Sequence, residues 1–240
     1  MNSTIDTILS HRSIRAFTQE AVSKEQLDTI IRAGIAASSS SLLQVNSIIR
    51  VTDPVKREAL VTFSGGQKYV GSAPEFLVFC IDFQRHVELN ENVKSEFTEL
   101  TLIGAVDAGI MAQNCMLAAE SMGLGGVYIG GLRNCAQEVD ELLELPPHTA
   151  VLFGMCLGHP DQNPEVKPRL SPDVILHENT YQPLDKNKIS EYDQTMLDYY
   201  SSRSGNNKSV TWSEQITGKL SGESRPHIKG YLNGKGLATK

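Results

Sequence analysis

At 240 residues, 40% hydrophobic and 21% charged, the chain has the composition of a folded globular protein. A chain this long buries roughly 70% of its unfolded surface and needs no disulfide scaffold. Its four cysteines, Cys80, Cys115, Cys135 and Cys156, form no CxxC pair and read as free, mostly buried thiols. The net charge of -6 is unevenly spread: residues 1–80 hold eight Lys/Arg and seven Asp/Glu, residues 81–160 three and eleven, residues 161–240 eleven and ten. The acidic middle and the overall sign argue against a general nucleic-acid binder, while leaving room for a local basic pocket for one small anion.

The opening MNSTIDTILSH lacks a basic region followed by an apolar run, and no segment approaches the ~18 continuous apolar residues of a membrane span. The expectation is a cytoplasmic protein with no membrane association. Residues 3–10 read as a short helix capped by Ser3 or Thr4, with Ile5, Ile8 and Leu9 on one face. The basic stretch HRSIR, residues 11–15, follows it. Ser23 and Gln26 have capping-box spacing, and Leu27, Ile30, Ile31 and Ile35 recur at helical intervals behind them. This helix runs out in Ser38 to Ser41, a turn-like cluster. Residues 47–52 read as a strand and 54–63 as a helix stopped by Gly65-Gly66. After Pro74, the apolar run Phe76 to Ile81 reads as an interior strand.

Residues 98–122 form the clearest helix. Leu102, Val106, Ile110, Cys115, Leu117 and Ala118 give it a broad apolar surface, and Gly104, Ala105, Ala108, Gly109 and Ala112 permit close approach. Such a helix belongs at a domain centre or a subunit interface. A short strand, Val127 to Ile129, is bracketed by glycines. VDELLEL reads as a helix stopped by Pro146-Pro147, and TAVLFGMCLGHP as another buried strand. Four prolines fall between 160 and 172, a helix is expected near 186–201, and the tail with Trp212 reads as irregular. Helices interspersed with apolar strands indicate an α/β or α+β domain. After about 178 there are too few large apolar residues for a second core, so that part reads as a wrapping extension, over its own chain or a partner.

Familiar catalytic motifs are missing. Gly123-Leu124-Gly125 begins like a dinucleotide fingerprint, but Tyr128 stands where the third glycine belongs, and the stretch follows a helix instead of a strand. There is no phosphate loop of the GxxxxGK[ST] type. The histidines, His11, His86, His148, His159, His177 and His227, make no HExxH and no tight Cys/His framework, so no metal is expected. Ser40 lacks a GxSxG context, and Glu99 reads as an exposed charge opening a helix. These absences favour chemistry supplied by an organic cofactor. His11, Arg12, Arg15, Lys167 and Arg169 either converge on a phosphate or are solvated charges. Ser13, Ser39, Ser40 and Ser41 either add donors or cap turns. Gln67 either reads a heterocyclic edge or fills a turn. Gly130-Gly131 either offers backbone N–H groups to a flat ligand or makes a tight turn.

Taken together, HRSIRAF, AASSSSLLQ, SGGQKYV, the long LTLIGAVDAGIMAQNCMLAAESMGLGGVYIGGLRN, FGMCLGHPDQNPEVKPRL and the late ESRPHI resemble the oxygen-insensitive NADPH nitroreductase and NADPH–flavin oxidoreductase family, in order, over essentially the full chain. The resemblance is nearest to its flavin-reductase members from luminous marine bacteria. It implies an α+β fold with a nitroreductase-like mixed sheet flanked by helices. It implies a single domain spanning 1–240, with a C-terminal extension from about 178 embracing a dimer partner. It also implies a homodimer with bound FMN at the subunit interface and NADPH as electron donor.

Carried over, His11, Lys167 and Arg169 face the flavin phosphate with Arg12 near them. Arg15 supports the pyrimidine edge and the reduced flavin, with Ser13 beside it. Ser39, Ser40 and Ser41 reach over from the neighbouring subunit. Gln67 bonds the ring, the stretch Tyr128, Ile129, Gly130 and Gly131 packs near N5, and Arg203 and Lys208 take the extra phosphate of NADPH. The implied reaction is ping-pong hydride transfer from NADPH to bound FMN and on to free FMN, for a monooxygenase or luciferase, without an essential acid or base. Nitroaromatics and quinones are the alternative acceptors. A flavin-storage module would bind FMN but turn over NADPH poorly.

Overall fold

The computed structural model describes residues 2–203 and 208–240. Its contacts divide the chain into two units, one comprising Met1–Pro164 with Arg225–Lys240, the other Glu165–Ser224. In chain order the first unit contains α1 (Ser3–Leu9), α2 (Lys24–Ile35), β1 (Asn46–Arg50), α3 (Pro54–Phe63), α4 (Tyr69–Ser72), β2 (Glu75–Asp82), α5 (Gln84–Leu89), α6 (Thr98–Ser121), β3 (Gly125–Ile129), α7 (Ala136–Leu143) and β4 (Thr149–Gly158). The second contains α8 (Pro172–Ile175), α9 (Lys186–Ser202) and α10 (Trp212–Leu220), after which α11 (Ile228–Gly234) returns to the first unit.

The sheet has the order β1-β2-β4-β3. The α+β class with flanking helices is the one observed, but the sheet expected to be mixed is antiparallel at each described pairing. The reason lies in the insertion of β4. The crossover through α5 and α6 sets β3 parallel to β2, as a strand–helix–strand order suggests, and β4 then pairs between them. β2 is buried along its whole length. Leu77 and Phe79 pack with Ile30, Ala112, Met116 and Met155 beneath α2 and α6. Phe76, Val78 and Cys80 pack with Leu60, Val127, Ile129 and Leu132 on the other face. The alternation is the period of two of a strand covered on both sides.

Local signals set most element boundaries. Ser23 and Gln26 make the expected capping box on α2, and Asp53 caps α3 with Pro54 in its first turn. α1 is capped by Asn2, whose side chain accepts from the Ile5 N–H at 3.0 Å, in place of the expected Ser3 or Thr4. α6 has the length and mean hydropathy, 1.4, of a membrane-crossing helix. It nevertheless buries Gly104, Ala108, Ala112, Cys115 and Met116 in the core, and a carboxylate, Asp107, is set in its middle.

The tail is more ordered than its composition suggests. Thr211 and Glu214 form a capping box that starts α10, and Trp212 meets Tyr192 of α9 edge-on at 5.3 Å. Tyr231 of α11 and Leu237 are buried in the core of the first unit. The four cysteines are free thiols. Burial pushes Cys80 and Cys156 up to about 12 and Cys115 to about 11, which keeps them from acting as nucleophiles.

Candidate active site

The chain between α1 and α2 determines where HRSIR points. Ile14 N–H donates to Gly126 O, Thr18 N–H to His159 O, and Asp161 N–H to Ala16 O, each at 2.9 Å, and Phe17 pairs with Pro160. The segment therefore lies pinned against β3 and the end of β4. Ile14 is buried over Gly125, where a Cβ would come within 2.5 Å of the Ile14 side chain, so only glycine admits this approach. With Ile14 turned inward, its neighbour Arg15 is exposed.

The Arg15 guanidinium donates only to Ser13 O at 3.5 Å, and that of Arg12 to Ser10 O at 3.3 Å. Among the described residues neither has a carboxylate within ion-pair distance. His11 is different: its Nδ1 lies 2.5 Å from Oε1 of Glu120 at the end of α6. That contact fixes the ring and leaves Nε2 as the free edge.

At the far end of β3, Gly131 packs against the α3–α4 loop. A Cβ there would stand 2.4 Å from Gln67 Nε2 and 2.5 Å from Ser64 O. Gln67 Nε2 donates to Ser64 O at 2.7 Å, and the Tyr69 hydroxyl donates to Gln67 Oε1. The Gln67 amide keeps one N–H and one lone pair for anything else. Gly130 has no comparable crowding. Tyr128 turns the other way: its ring meets Phe153 edge-on at 5.6 Å and its hydroxyl donates to Gln113 Oε1 at 3.2 Å. Burial pushes that phenol's pKa upward. β3 thus carries the Arg15 segment at one end and Gln67 with Gly131 at the other.

The serines form a constrained loop. Ser39 Oγ donates to Asp107 Oδ2 at 2.8 Å and accepts from Gln44 N–H at 2.8 Å, and Ser40 N–H donates to the same carboxylate at 3.1 Å. Ser40 and Ser41 are themselves exposed. The loop walls a cavity of about 420 Å³, shared with Ile31, Ile48, Arg85 and Met111.

The remaining predicted cations belong to the second unit. Lys167, Arg203 and Lys208 lie 5.9, 6.0 and 5.3 Å from the centre of the Tyr200 ring. Arg169 donates to the carbonyls of Lys167 and Pro168 at 2.9 and 3.3 Å. Three cations around one aromatic ring make a positive patch.

Three further side chains of these surroundings are not among the residues the sequence points to. Asp107 is a carboxylate in the apolar middle of α6, which is itself a signal, and Glu120 lies in that helix's last turn. Arg225, in the ESRPHI block, donates to Asn134 Oδ1 at 2.9 Å, adding a cation just beyond the Gly130-Gly131 turn. Burial and the charge of Arg225 both push the pKa of nearby Arg133 down.

The nitroreductase family pattern matches residues 8–159, and the pattern of that family's C-terminal domain matches residues 167–240. The chain belongs to the nitroreductase family. Among its relatives, the NADPH-flavin oxidoreductase of Vibrio harveyi is 68% identical over 240 residues, covering all of both chains. The oxygen-insensitive NADPH nitroreductase of Salmonella typhimurium is 50% identical over the same span, again covering all of both. The solved structure of the Vibrio harveyi NADPH:FMN oxidoreductase complexed with NAD+ superposes with a TM-score of 0.95 at 67% identity, with full coverage of each chain. The match of this nitroreductase-family chain extends through α9 and α10, so the second unit is part of the family architecture.

Proposed function

We propose that this chain is an NADPH-dependent flavin reductase that holds FMN as its cofactor and delivers electron pairs to free FMN. The observation that carries the reading is the pair of guanidiniums, Arg12 and Arg15, without a carboxylate partner among the described residues and on a segment fastened to β3. Charge of this kind, left without a carboxylate, suits a ligand with a phosphate at one end and electron-rich carbonyls at the other. The donor set fits FMN. His11 and Arg12 suit the phosphate, and Arg15 with Ser13 suits the pyrimidine edge; Lys167 and Arg169, of the second unit, join the phosphate ligands on the strength of the family resemblance alone. Gln67 suits the ring edge with its spare N–H and lone pair, and the backbone from Tyr128 to Gly131 suits the ring face.

Bound FMN supplies a two-electron carrier that nicotinamide reduces and a flat acceptor reoxidises. The residues have simpler tasks. Arg15 stabilises negative charge that develops on its ligand, and Glu120 holds the His11 ring in place. Arg203 and Lys208, both near the Tyr200 ring, suit a phosphate of NADPH. In this reading no side chain serves as an essential acid or base, and solvent supplies protons to the acceptor.

The functional unit is a homodimer. Leu102, Val106 and Ile110 leave an apolar stripe on the outer side of α6, and the Glu165–Ser224 unit, including the extension from about 178, embraces the partner. Its four free thiols accord with the cytoplasm. Reduced flavin would pass to a monooxygenase or luciferase. Half identity to an oxygen-insensitive nitroreductase supports a second reading, in which nitroaromatics and quinones are the acceptors.

The deciding experiment is the visible spectrum of the purified protein before and after anaerobic NADPH. A yellow protein that bleaches, then recovers on addition of free FMN, is the expected result; a colourless protein that FMN cannot reconstitute refutes the proposal. Steady-state comparison with a quinone and a nitrofuran separates the two acceptor readings. Arg203→Ala should raise KM for NADPH about tenfold while leaving KM for NADH within about twofold, because a lost charge-assisted contact to phosphate is worth roughly 1.5–3 kcal/mol. Equal effects on both coenzymes would remove Arg203 from the phosphate contact.

A further inference from the structure

We propose that Asp107 is a positioning residue: its buried carboxylate, in the middle of α6, holds the serine loop in the form that presents Ser40 and Ser41 to the cofactor of a second subunit. The inference rests on the reading above, in which FMN lies at a dimer interface. It goes further by assigning the loop's shape to one side chain and by separating the serines by task.

Three observations carry it. First, Asp107 is only 5% exposed and none of the described ion pairs includes it. Its hydrogen bonds come from the loop, two from the Ser40 N–H and one from the Ser39 hydroxyl. A buried carboxylate is a costly way to make a helix, and these donors are what offset it. Second, the loop is strained. Ser41, Leu42 and Gln44 have φ of 50°, 56° and 52°, a region that side chains other than glycine rarely occupy. The Ser39 hydroxyl relays the restraint, donating to Asp107 while accepting from the N–H of Gln44, the last of the strained residues. Third, Asp107 follows Val106 on the helix whose outer stripe, Leu102, Val106 and Ile110, is 58%, 59% and 41% exposed. One helix therefore carries both the apolar surface a second subunit would cover and the group that shapes the loop.

The consequence is a division of labour. The Ser39 hydroxyl and the Ser40 N–H are spent on Asp107 and Gln44, and are not ligand donors. The exposed hydroxyls of Ser40 and Ser41 are the groups left to act across the interface. Asp107→Asn keeps the volume but turns one acceptor into a donor facing the Ser39 hydroxyl or the Ser40 N–H. Ser39→Ala cuts the relay, and Ser39→Thr keeps it.

The test is FMN titration of the flavin-stripped dimer, followed by quenching of flavin fluorescence, with dimer mass from sedimentation. Asp107→Asn and Ser39→Ala should each raise the FMN Kd about tenfold or more with dimer mass and circular dichroism unchanged, and Ser39→Thr should return it to within about twofold of the parent. A hybrid dimer then tests direction, pairing an Asp107→Asn subunit with an Arg15→Ala subunit. Action across the interface places both defects in one site, so the hybrid keeps one site of parental affinity. Action within a subunit damages both sites and leaves no tight one, which overturns the proposal. An unchanged Kd for both Asp107→Asn and Ser39→Ala overturns it as well. If Asp107→Asn does not fold, the Ser39→Ala and Ser39→Thr pair decides the matter alone. The Arg15→Ala homodimer judges the cofactor reading separately: parental FMN affinity there defeats that reading, whatever the serine-loop variants show.

Discussion

Arg15→Ala should lower the rate at which NADPH reduces the protein's flavin by about 10²–10³-fold, the loss typical of removing one preorganised donor from developing negative charge. The size follows from its setting. Arg15 is exposed, without a carboxylate partner among the described residues, and held by a single weak bond to Ser13 O at 3.5 Å. Its charge is therefore not consumed by the fold. The backbone beneath it is fixed by Ile14 N–H to Gly126 O and by the Phe17–Pro160 pairing, so the side chain starts from a set place beside β3 and a bound ligand has only its rotamer to order. For the same reason the substitution should move the melting temperature by less than about 2 °C, as expected for a surface side chain. Arg15→Lys should recover part of the rate, because it restores the charge without the planar fork. Stopped-flow reduction under anaerobic conditions, with melting curves of the same samples, provides the comparison. Unchanged reduction kinetics would show that Arg15 is a solvated surface charge.

Much of this molecule is written in short-range patterns. The Ser23–Gln26 box, the Asp53-Pro54 start and the apolar run of β2 each announce an element through one physical device, and each element forms where its device stands. The glycines were legible as exceptional but not as to cause. Gly125 is required by Ile14 and Gly131 by Gln67, and both neighbours are distant in sequence. The mixed sheet failed because strand insertion is a long-range event: nothing in TAVLFGMCLGHP states that β4 pairs with both β2 and β3. The tail failed for the opposite reason. Thr211-Trp212-Ser213-Glu214 is a capping box readable on its face, but a polar composition masked it. Asp107 lay in plain view inside LTLIGAVDAGIM. A charge at a buried helical position signals a partner, and only the fold shows that the partner is the serine loop.

The returning C-terminal segment is the second place where one substitution should act strongly. Asp140→Ala should lower the free energy of unfolding by about 3–5 kcal/mol, because it leaves a buried cation without its counter-charge. Asp140 accepts from Lys235 Nζ at 3.0 Å and from the Tyr231 hydroxyl at 3.1 Å, and Tyr231 in turn accepts from Val151 N–H of β4 at 3.0 Å. The side chains of Lys235 and Asp140 are only 11% and 9% exposed. One carboxylate on α7 thus joins α11 to the sheet. Lys235→Met combined with Asp140→Ala should recover a large part of the loss, since removing both charges together leaves no ion unpaired in the core. Urea unfolding of the single and double variants measures both quantities. A single-variant loss below about 1 kcal/mol, or a double variant no better than the single, would show that burial of Tyr231 and Leu237 holds the segment instead. The effect should also reach the site. Arg225 and His227 sit at the start of the same segment, bonded to Asn134 and Arg133 just past Gly131. Loosening α11 should therefore raise KM before the protein unfolds, and the double variant should restore it together with stability.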